Sequence, residues 1–341
     1  MKKTLCYSCS FNRVEQSKAN KSNRYWYGSI KLLIAAAAFI FIYVRVISRE
    51  HFSDILLAYR ELFLQSAIVP AFSLVVLLMI LNWSLEALKW KLMMRRLEVV
   101  PFGRALAAVF SGLTVSFFTP NRIGEYAGRI FHLHSANRIK GTLVTILENL
   151  SQLMITVVIG SVSLVIYLKE YSGLHQYILW VIGVLMILFA SITVFLFLEV
   201  PVLEQSILKM KRLRKLSPYF EVLSEYNKNE LFSVLGLALL RYLVFTLQFI
   251  VLLRILGVSG AFFTMIILIN MVFFVMTLVP TFALTEVGVR GAVATYFLSK
   301  ISPDTLAIVN ASLSLWLINL VVPALAGIVF IFQFRFSKEK K

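Results

Sequence analysis

Two short stretches of this chain follow the same order of residues inside an otherwise apolar sequence. They read TPNRIGEYAGR at 119–129 and PTFALTEVGVR at 280–290. Each comes after an apolar segment, 105–119 in the first case and 262–279 in the second, and each runs through proline, glutamate, glycine and arginine in that order. Proline interrupts a helix, and interrupted backbone at membrane depth needs a protein-buried or water-filled cavity. The two stretches therefore predict a pair of broken, re-entrant helical hairpins.

The rest of the chain has the composition of a membrane protein. Hydrophobic residues make up 59% of the 341 residues and charged residues 15%, whereas roughly 25% are charged in an ordinary soluble domain. A water-soluble enzyme is excluded, because a soluble fold cannot bury so much apolar surface. A bilayer core about 30 Å thick needs roughly 20 apolar residues per helix. Six segments meet that length, at approximately 28–47, 67–88, 142–168, 177–198, 231–256 and 306–332.

The predicted fold class is thus an all-α polytopic membrane protein with about six full spans and two hairpins, and its charges predict the orientation. The net charge is +17, and the positive-inside rule assigns the segments rich in Lys and Arg to the cytoplasm. The basic segments are 1–31, 89–104, 122–140, 209–215 and 335–341, and the near-neutral, outward ones are 48–66, 169–175, 257–261 and 300–304. Both termini are expected in the cytoplasm.

This orientation also predicts how the hairpins insert. If both interrupted stretches crossed the bilayer completely, the basic segments 122–140 and 209–215 would lie on opposite sides. Two hairpins remove the conflict, with 104–140 inserting from the cytoplasmic side and 260–303 from the outer side. Opposite insertion of two similar hairpins predicts an inverted repeat, which in transporters holds the substrate near the membrane midplane. The alternative is that the prolines merely end ordinary helices at the membrane surface.

Arginine and glutamate side chains near the predicted breaks are candidate substrate-binding residues. Arg122, Glu125 and Arg129 fall at i, i+3 and i+7 on one helix face. Glu286 and Arg290 stand four residues apart, in the favourable order for a helical ion pair. Arginines exceed glutamates in the two clusters together, and guanidinium binds phosphate in a planar, two-pronged manner. A phosphate-bearing substrate is therefore favoured.

Arg241 is a further candidate, because it lies about ten residues into an apolar span. An arginine at that depth costs about 2.5 to 3.5 kcal/mol on insertion scales, so it is expected to face the bundle interior with a partner. The candidate partners are Glu148, with Asn149 and Gln152, and Glu86, with Asn82. A buried pair that only fixes helix register is the alternative. The full candidate set is Pro120, Arg122, Glu125, Arg129, Glu148, Arg241, Pro280, Glu286 and Arg290.

At these residues the chain resembles the lysylphosphatidylglycerol synthase transmembrane-region family, which includes the flippase-like domain of the bacterial multiple peptide resistance factor and its stand-alone relatives. The resemblance covers roughly residues 28–335 and rests on the motifs at 111–129 and 278–290. Many relatives carry a glycine pair before the second Gly-x-Arg and a glutamate after it, where this chain has Thr285-Glu286 and Gly291. The resemblance implies that a lipid route is bordered by Pro120, Glu125, Arg129, Glu286 and Arg290.

The resemblance implies a flippase that moves a headgroup-modified phospholipid or a polyprenyl-linked lipid between leaflets, and no enzymatic activity is expected of this chain. Any lipid-modifying step would belong to a separate synthase. One alternative is a membrane-embedded glycosyl- or aminoacyl-transferase, which is disfavoured because the sequence has no Asp-x-Asp pair, P-loop or nucleotide fingerprint. Another is a non-transporting scaffold of an envelope-synthesis complex, in which Arg129 and Arg290 would tolerate loss of charge.

The expected organisation is a basic tail at 1–27, a flippase-like domain at 28–335 with repeat halves at about 67–200 and 230–335, and a tail at 336–341. A bacterial-type inner membrane is the expected location. Anionic lipids are the expected partners and a homodimer is left open, whereas no nucleic acid is expected, because the basic residues suit lipid headgroups. No cofactor or metal is expected either, since Cys6-x-x-Cys9 has no second Cys or His pair nearby.

Overall fold

The computed structural model describes residues 68–117, 119, 122–134, 137–201, 217–279 and 283–331. Within these ranges the chain forms ten helices and no strand. The all-α polytopic fold class is confirmed. The predicted features that lie outside the described residues are the span at 28–47, both tails, the basic segment 209–215, Pro120 and Pro280.

Five helices are long and apolar enough to cross a membrane, and they coincide with five of the six predicted spans. They are α1 (Ile68–Met94), α4 (Arg138–Tyr171), α5 (Gln176–Leu198), α7 (Lys228–Ile255) and α10 (Thr305–Ile331). Several run beyond the apolar core into polar turns. The Asn137 side chain, for example, accepts hydrogen bonds from the Ile139 and Lys140 amides at the start of α4, and Asn227 and Glu230 form a capping box at the start of α7.

The remaining helices are shorter. They are α2 (Phe102–Ser116), α3 (Gly124–Ile130), α6 (Ser217–Ser224), α8 (Phe262–Leu278) and α9 (Ala283–Leu298). With 15 and 17 residues, α2 and α8 measure only about 22 and 26 Å at 1.5 Å per residue, less than a bilayer core of about 30 Å. Each ends near its predicted break, and α2 packs on α3 as α8 packs on α9.

The helices of the two predicted repeat halves contact one another in an exchanged pattern. Helix α1 packs along α7, which is its counterpart in the second half. Helix α2 packs on the C-terminal half of α10, and α8 packs on α4, so the first helix of each hairpin contacts the long helix of the other half. If α1, α2, α3 and α4 are exchanged for α7, α8, α9 and α10, the contact between α1 and α7 is unchanged. The contact between α2 and α10 then becomes the contact between α8 and α4.

These two crossings between halves are close and each carries a polar contact. Where α10 meets α2, a Cβ at Gly327 would overlap the Phe110 carbonyl, and Thr114 Oγ1 donates to the Ala324 carbonyl at 2.7 Å. Where α8 meets α4, a Cβ at Gly160 would overlap the Phe274 ring. Asn270 Nδ2 there donates to Ser163 Oγ at 3.0 Å. Small residues let membrane helices approach closely in this way.

Candidate functional site

A cavity of about 330 Å³ lies among α1, α4, α7, α8, α9 and α10. Four charged side chains line it: Arg122 just before α3, Arg241 midway along α7, and Glu286 and Arg290 in the first two turns of α9. The rest of the wall combines aromatic side chains with amides and hydroxyls. These residues are Asn82, Trp83, Gln152, Thr156, Tyr242, Phe245, Phe273, Met276, Thr277, Leu315, Trp316, Asn319 and Leu320.

Glu286 joins the two hairpins on one side of the cavity. Its carboxylate is buried and accepts bonds from Arg122 Nη2 at 2.8 Å on both oxygens. Arg290 Nη2, four residues along the same helix, donates to Glu286 Oε1 at 2.8 Å. Arg122 belongs to the first hairpin, and Glu286 and Arg290 belong to the second. The Arg122–Glu286 ion pair therefore connects residues 164 positions apart in the sequence.

Arg122 occupies an unusual backbone conformation. Its φ is 57°, in the left-handed region that residues other than glycine, asparagine and aspartate rarely adopt. Such a conformation costs on the order of 1 to 3 kcal/mol and persists only where surrounding contacts impose it. The two bonds to Glu286 are contacts of that kind.

Arg241, on α7, also lines the cavity and has three partners. Its Nη1 is 3.3 Å from Glu86 Oε2 and 3.3 Å from Gln152 Oε1, and its guanidinium lies 5.5 Å from the centre of the Trp83 ring. Glu86 and Gln152 are both among the partners that the sequence suggested. Arg241 thus faces the bundle interior with its charge only partly neutralised, because Glu86 is shared with other cations.

Behind this wall lies a buried network of charges centred on Arg129. The Arg129 side chain is fully buried and contacts three carboxylates: Glu86 at 2.6 Å, Glu148 at 3.0 Å and Glu125. Lys89, also fully buried, contacts Glu86 at 3.0 Å and Glu148 at 2.9 Å. With Arg241 included, three cations face three carboxylates. A buried charge is tolerated at such a site only when it is paired in this manner.

The candidate residues therefore separate into two groups. Arg122, Arg241, Glu286 and Arg290 line the cavity. The second group comprises Glu125, Arg129 and Glu148, which belong to the buried network and not to the cavity wall. Arg129 was expected to border the route, but three surrounding carboxylates hold it behind the wall instead.

Lys89 was missed as a site residue. The sequence placed it in a basic segment outside the span, at 89–104, but α1 continues to Met94 and buries the side chain. The sequence did contain a sign of this ion pair, because Glu86 lies three residues before Lys89 and hence on the same helix face.

The model of the family described as "Lysylphosphatidylglycerol synthase TM region" matches residues 28–327. The chain belongs to this family. No curated protein and no solved structure matches it. The family assignment identifies the described helices as a membrane domain of the flippase or synthase kind.

In this member of the lysylphosphatidylglycerol synthase transmembrane-region family, two amides of the cavity wall, Asn82 and Asn319, belong to a buried hydrogen-bond network. Asn319 Nδ2 donates to Gln248 Oε1 at 2.9 Å, and Gln248 Nε2 donates to the Val75 carbonyl at 2.9 Å. Asn82 Nδ2 lies 3.4 Å from Asn319 Oδ1. Asn319 is part of a π-helical turn, Leu317–Val321, within α10. Such turns are rare and frequently occur at functional sites.

A buried histidine fixes the end of the first hairpin. His132 Nε2 lies 2.9 Å from Ser111 Oγ of α2. Burial, together with the nearby positive charge of Arg104, lowers the pKa of His132 to about 4. The imidazole is therefore neutral at physiological pH and acts as a hydrogen-bonding partner for α2. The contact between His132 and α2 therefore carries no charge at that pH.

Proposed function

We propose that this protein is a lipid flippase, which moves a phosphate-bearing lipid between leaflets. The headgroup would occupy the cavity while the acyl or prenyl chains stay in the bilayer. The observation that carries the proposal is the set of three guanidinium groups in the cavity wall, at Arg122, Arg241 and Arg290. They come from the first hairpin, from the middle of a long apolar helix and from the second hairpin.

The charge of the wall supports an anionic headgroup. Three arginines and one glutamate line the cavity. Because Arg241 is also paired with Glu86, the lining and the buried network together hold five cations and four carboxylates, an excess of one positive charge. Guanidinium groups bind phosphate oxygens with paired, charge-assisted hydrogen bonds. Such groups are expensive at membrane depth and are found there mainly where they serve a substrate or ion path.

The exchanged helix contacts support a mechanism of alternating access. Two hairpins of opposite insertion would form an inverted repeat, and rocking of one half against the other would open the cavity to each leaflet in turn. The link between Arg122 and Glu286 joins the hairpins, so it would break and re-form in each cycle. The first hairpin would insert from the cytoplasmic side of a bacterial-type inner membrane, with both termini in the cytoplasm.

The proposal assigns no bond-making chemistry to this chain. Its described residues include no group of three or more His, Cys, Asp and Glu placed to hold a metal ion. A separate synthase would modify the lipid, and anionic lipids would be the direct partners. The transporter would then act on the product of another enzyme.

Reconstitution of the purified chain tests the proposal. In sealed liposomes with an acyl-labelled fluorescent phosphatidylglycerol, added dithionite bleaches only the outer leaflet, so about half the signal survives without flipping. With the wild-type chain we expect dithionite to bleach well over half of the fluorescence. In Arg290→Gln we expect flipping to be about tenfold slower, which corresponds to a rise of about 1.4 kcal/mol in the activation free energy of flipping.

Arg254→Gln is the matched control, because Arg254 is an exposed arginine near the end of α7 and is not part of the cavity wall. Its flipping rate should equal that of the wild type. A folded wild-type chain that flips no anionic lipid would contradict the proposal. Such a result would favour the non-transporting scaffold, whereas equal measurable flipping rates for Arg290→Gln and the wild type would contradict a role of Arg290 in the lipid route.

A further inference from the structure

Glu286 uses the same guanidinium groups that an anionic headgroup would need. Both of its oxygens accept from Arg122 Nη2 of the first hairpin, and Oε1 also accepts from Arg290 Nη2 of the second. Among the described residues that line the cavity, Glu286 is the only carboxylate. A phosphate binds guanidinium through charge-assisted hydrogen bonds of the same kind. Glu286 and a headgroup in this cavity therefore compete for one pair of arginines.

The two ion pairs of Glu286 differ in how they are held. Arg290 stands four residues later on the same helix, so that pair stays close however the hairpins move. Arg122 reaches Glu286 from the other hairpin. Its side chain is 42% exposed, whereas that of Arg290 is 13% exposed. Arg122 is thus the more accessible partner, and it is the one that separation of the hairpins would remove.

Arg122 can bind an incoming anion before it releases Glu286. Both of its bonds to Glu286 come from one nitrogen, Nη2, whereas a guanidinium has five N–H donors on three nitrogens. Once an anion holds Arg122, Glu286 still has Arg290, so the exchange leaves no buried charge without a partner. The left-handed backbone of Arg122, which the bonds to Glu286 help to impose, is then free to relax.

From these contacts, and on the basis of the proposed function, we propose that the anionic headgroup displaces Glu286 from Arg122 and so releases the two hairpins from each other. Glu286 is an internal competitor of the headgroup, and the exchange at Arg122 couples headgroup binding to the movement of the hairpins. A lipid without an anionic group cannot make the exchange and leaves the hairpins linked. When the Arg122–Glu286 pair forms again, it favours release of the headgroup.

Removing the competitor tests this proposal. Binding of dioleoyl phosphatidylglycerol to the full chain in detergent is titrated by native mass spectrometry. Glu286→Gln should bind this lipid about tenfold more tightly than the wild type, because the headgroup no longer has to displace a charge from Arg122. If Glu286 were only a structural link between the hairpins, its loss would weaken binding. Equal or weaker binding by a folded Glu286→Gln chain overturns the proposal.

Glu221→Gln is the matched control, because it also removes one carboxylate, at an exposed position of α6 outside the cavity wall. It should bind phosphatidylglycerol like the wild type. An equal gain in affinity for Glu221→Gln would show that net charge, and not competition at Arg122, sets the binding, and would overturn the proposal.

A second measurement keeps Glu286 and so does not depend on the folding of that variant. In a chain with Cys6 and Cys9 replaced by serine, spin labels are attached to cysteines at Ile123, next to Arg122, and at Ser299, an exposed residue just after α9. The distance between the labels should lengthen with bound dioleoyl phosphatidylglycerol and stay unchanged with dioleoylglycerol, which has no phosphate. An unchanged distance with phosphatidylglycerol bound overturns the proposal.

The outcomes separate this inference from the proposed function. Tighter binding by Glu286→Gln and a lengthened label distance, in a chain that flips no lipid, support the inference and contradict the flippase. Flipping by a wild-type chain whose label distance does not change overturns the inference and leaves the flippase standing. Glycerol phosphate is included as a soluble anion, and if it binds as tightly as phosphatidylglycerol, the lipid as the source of the displacing anion is overturned.

Discussion

Arg129 lies in the buried charge network next to the cavity and not in the cavity wall. Its side chain is fully buried among Glu86, Glu125 and Glu148, and it does not reach the cavity wall. The sequence grouped it with Arg122 on one predicted helix face, but that prediction is wrong, because α3 begins at Gly124 and Arg122 lies before it in a left-handed conformation. Burial separates them, since the Arg122 side chain is 42% exposed and that of Arg129 is not exposed at all.

Arg129→Gln is therefore expected to destabilise the fold severely. It leaves three carboxylates facing only Lys89 and Arg241, and breaking a buried ionic network by removing one partner costs about 3 to 5 kcal/mol. Equilibrium unfolding in mixed micelles measures the free energy of unfolding. Arg254→Gln is the control and should unfold like the wild type, and an Arg129→Gln chain of equal stability would contradict the account.

His132 should make the stability depend on pH. Its pKa of about 4 in the folded chain lies below the roughly 6.5 of an unfolded histidine. The unfolded chain therefore takes up the proton first, and stability falls as the pH drops from about 6.5 to about 4. Above that window the histidine makes no difference to the pH dependence.

His132→Asn tests this, because asparagine can keep a bond to Ser111 without titrating. The difference in unfolding free energy between wild type and variant should change by up to about 1.4 kcal/mol per pH unit inside the window. Thermal unfolding at a series of pH values gives this difference. Parallel curves across the window would show that His132 is not buried in the neutral form.

At the scale of the helices, the close crossings between the two halves are the most sensitive contacts. Gly327 of α10 meets backbone of α2 at Phe110, which cannot move as a side chain can. Gly327→Ala is expected to destabilise the protein by about 1 to 3 kcal/mol through overpacking. The midpoint of thermal unfolding in detergent measures the effect.

Gly236→Ala is the matched control, because a Cβ at that position in α7 meets no atom within 4 Å. That change should leave stability unaltered or raise it by about 0.5 to 1 kcal/mol, since alanine favours a helix over glycine. If both alanine variants unfold at the same temperature, the described crossing of α10 and α2 is wrong.

The helices themselves could largely be predicted from the sequence. A span needs roughly 20 consecutive apolar residues, which is a local property, and five of the predicted spans correspond to described helices. The apolar pattern could not predict how far those helices continue into polar residues at their ends. The burial of Lys89 was missed for this reason, since α1 remains helical to Met94 and the charge of Lys89 is paired with Glu86 and Glu148.

At the scale of the whole molecule, the site depends on contacts between distant parts of the chain. The sequence supplied both members of the Arg122–Glu286 pair, but not their pairing across 164 positions. Likewise it offered Glu86 and Glu148 as alternative partners for Arg241. In the structure Arg241 pairs with Glu86, whereas Glu148 pairs with Arg129 and Lys89. Such choices depend on packing, which no local pattern contains.

The central claim is that a water-accessible cavity of positive charge lies between the hairpins at membrane depth. Thr277 lines that cavity, whereas Leu188 is exposed on an apolar face of α5 that suits lipid. In a chain with Cys6 and Cys9 replaced by serine, Thr277→Cys and Leu188→Cys are treated with an anionic, membrane-impermeant thiol reagent in liposomes. The account predicts rapid labelling at position 277 and none at 188, and an unreactive thiol at 277 in a folded chain would contradict it.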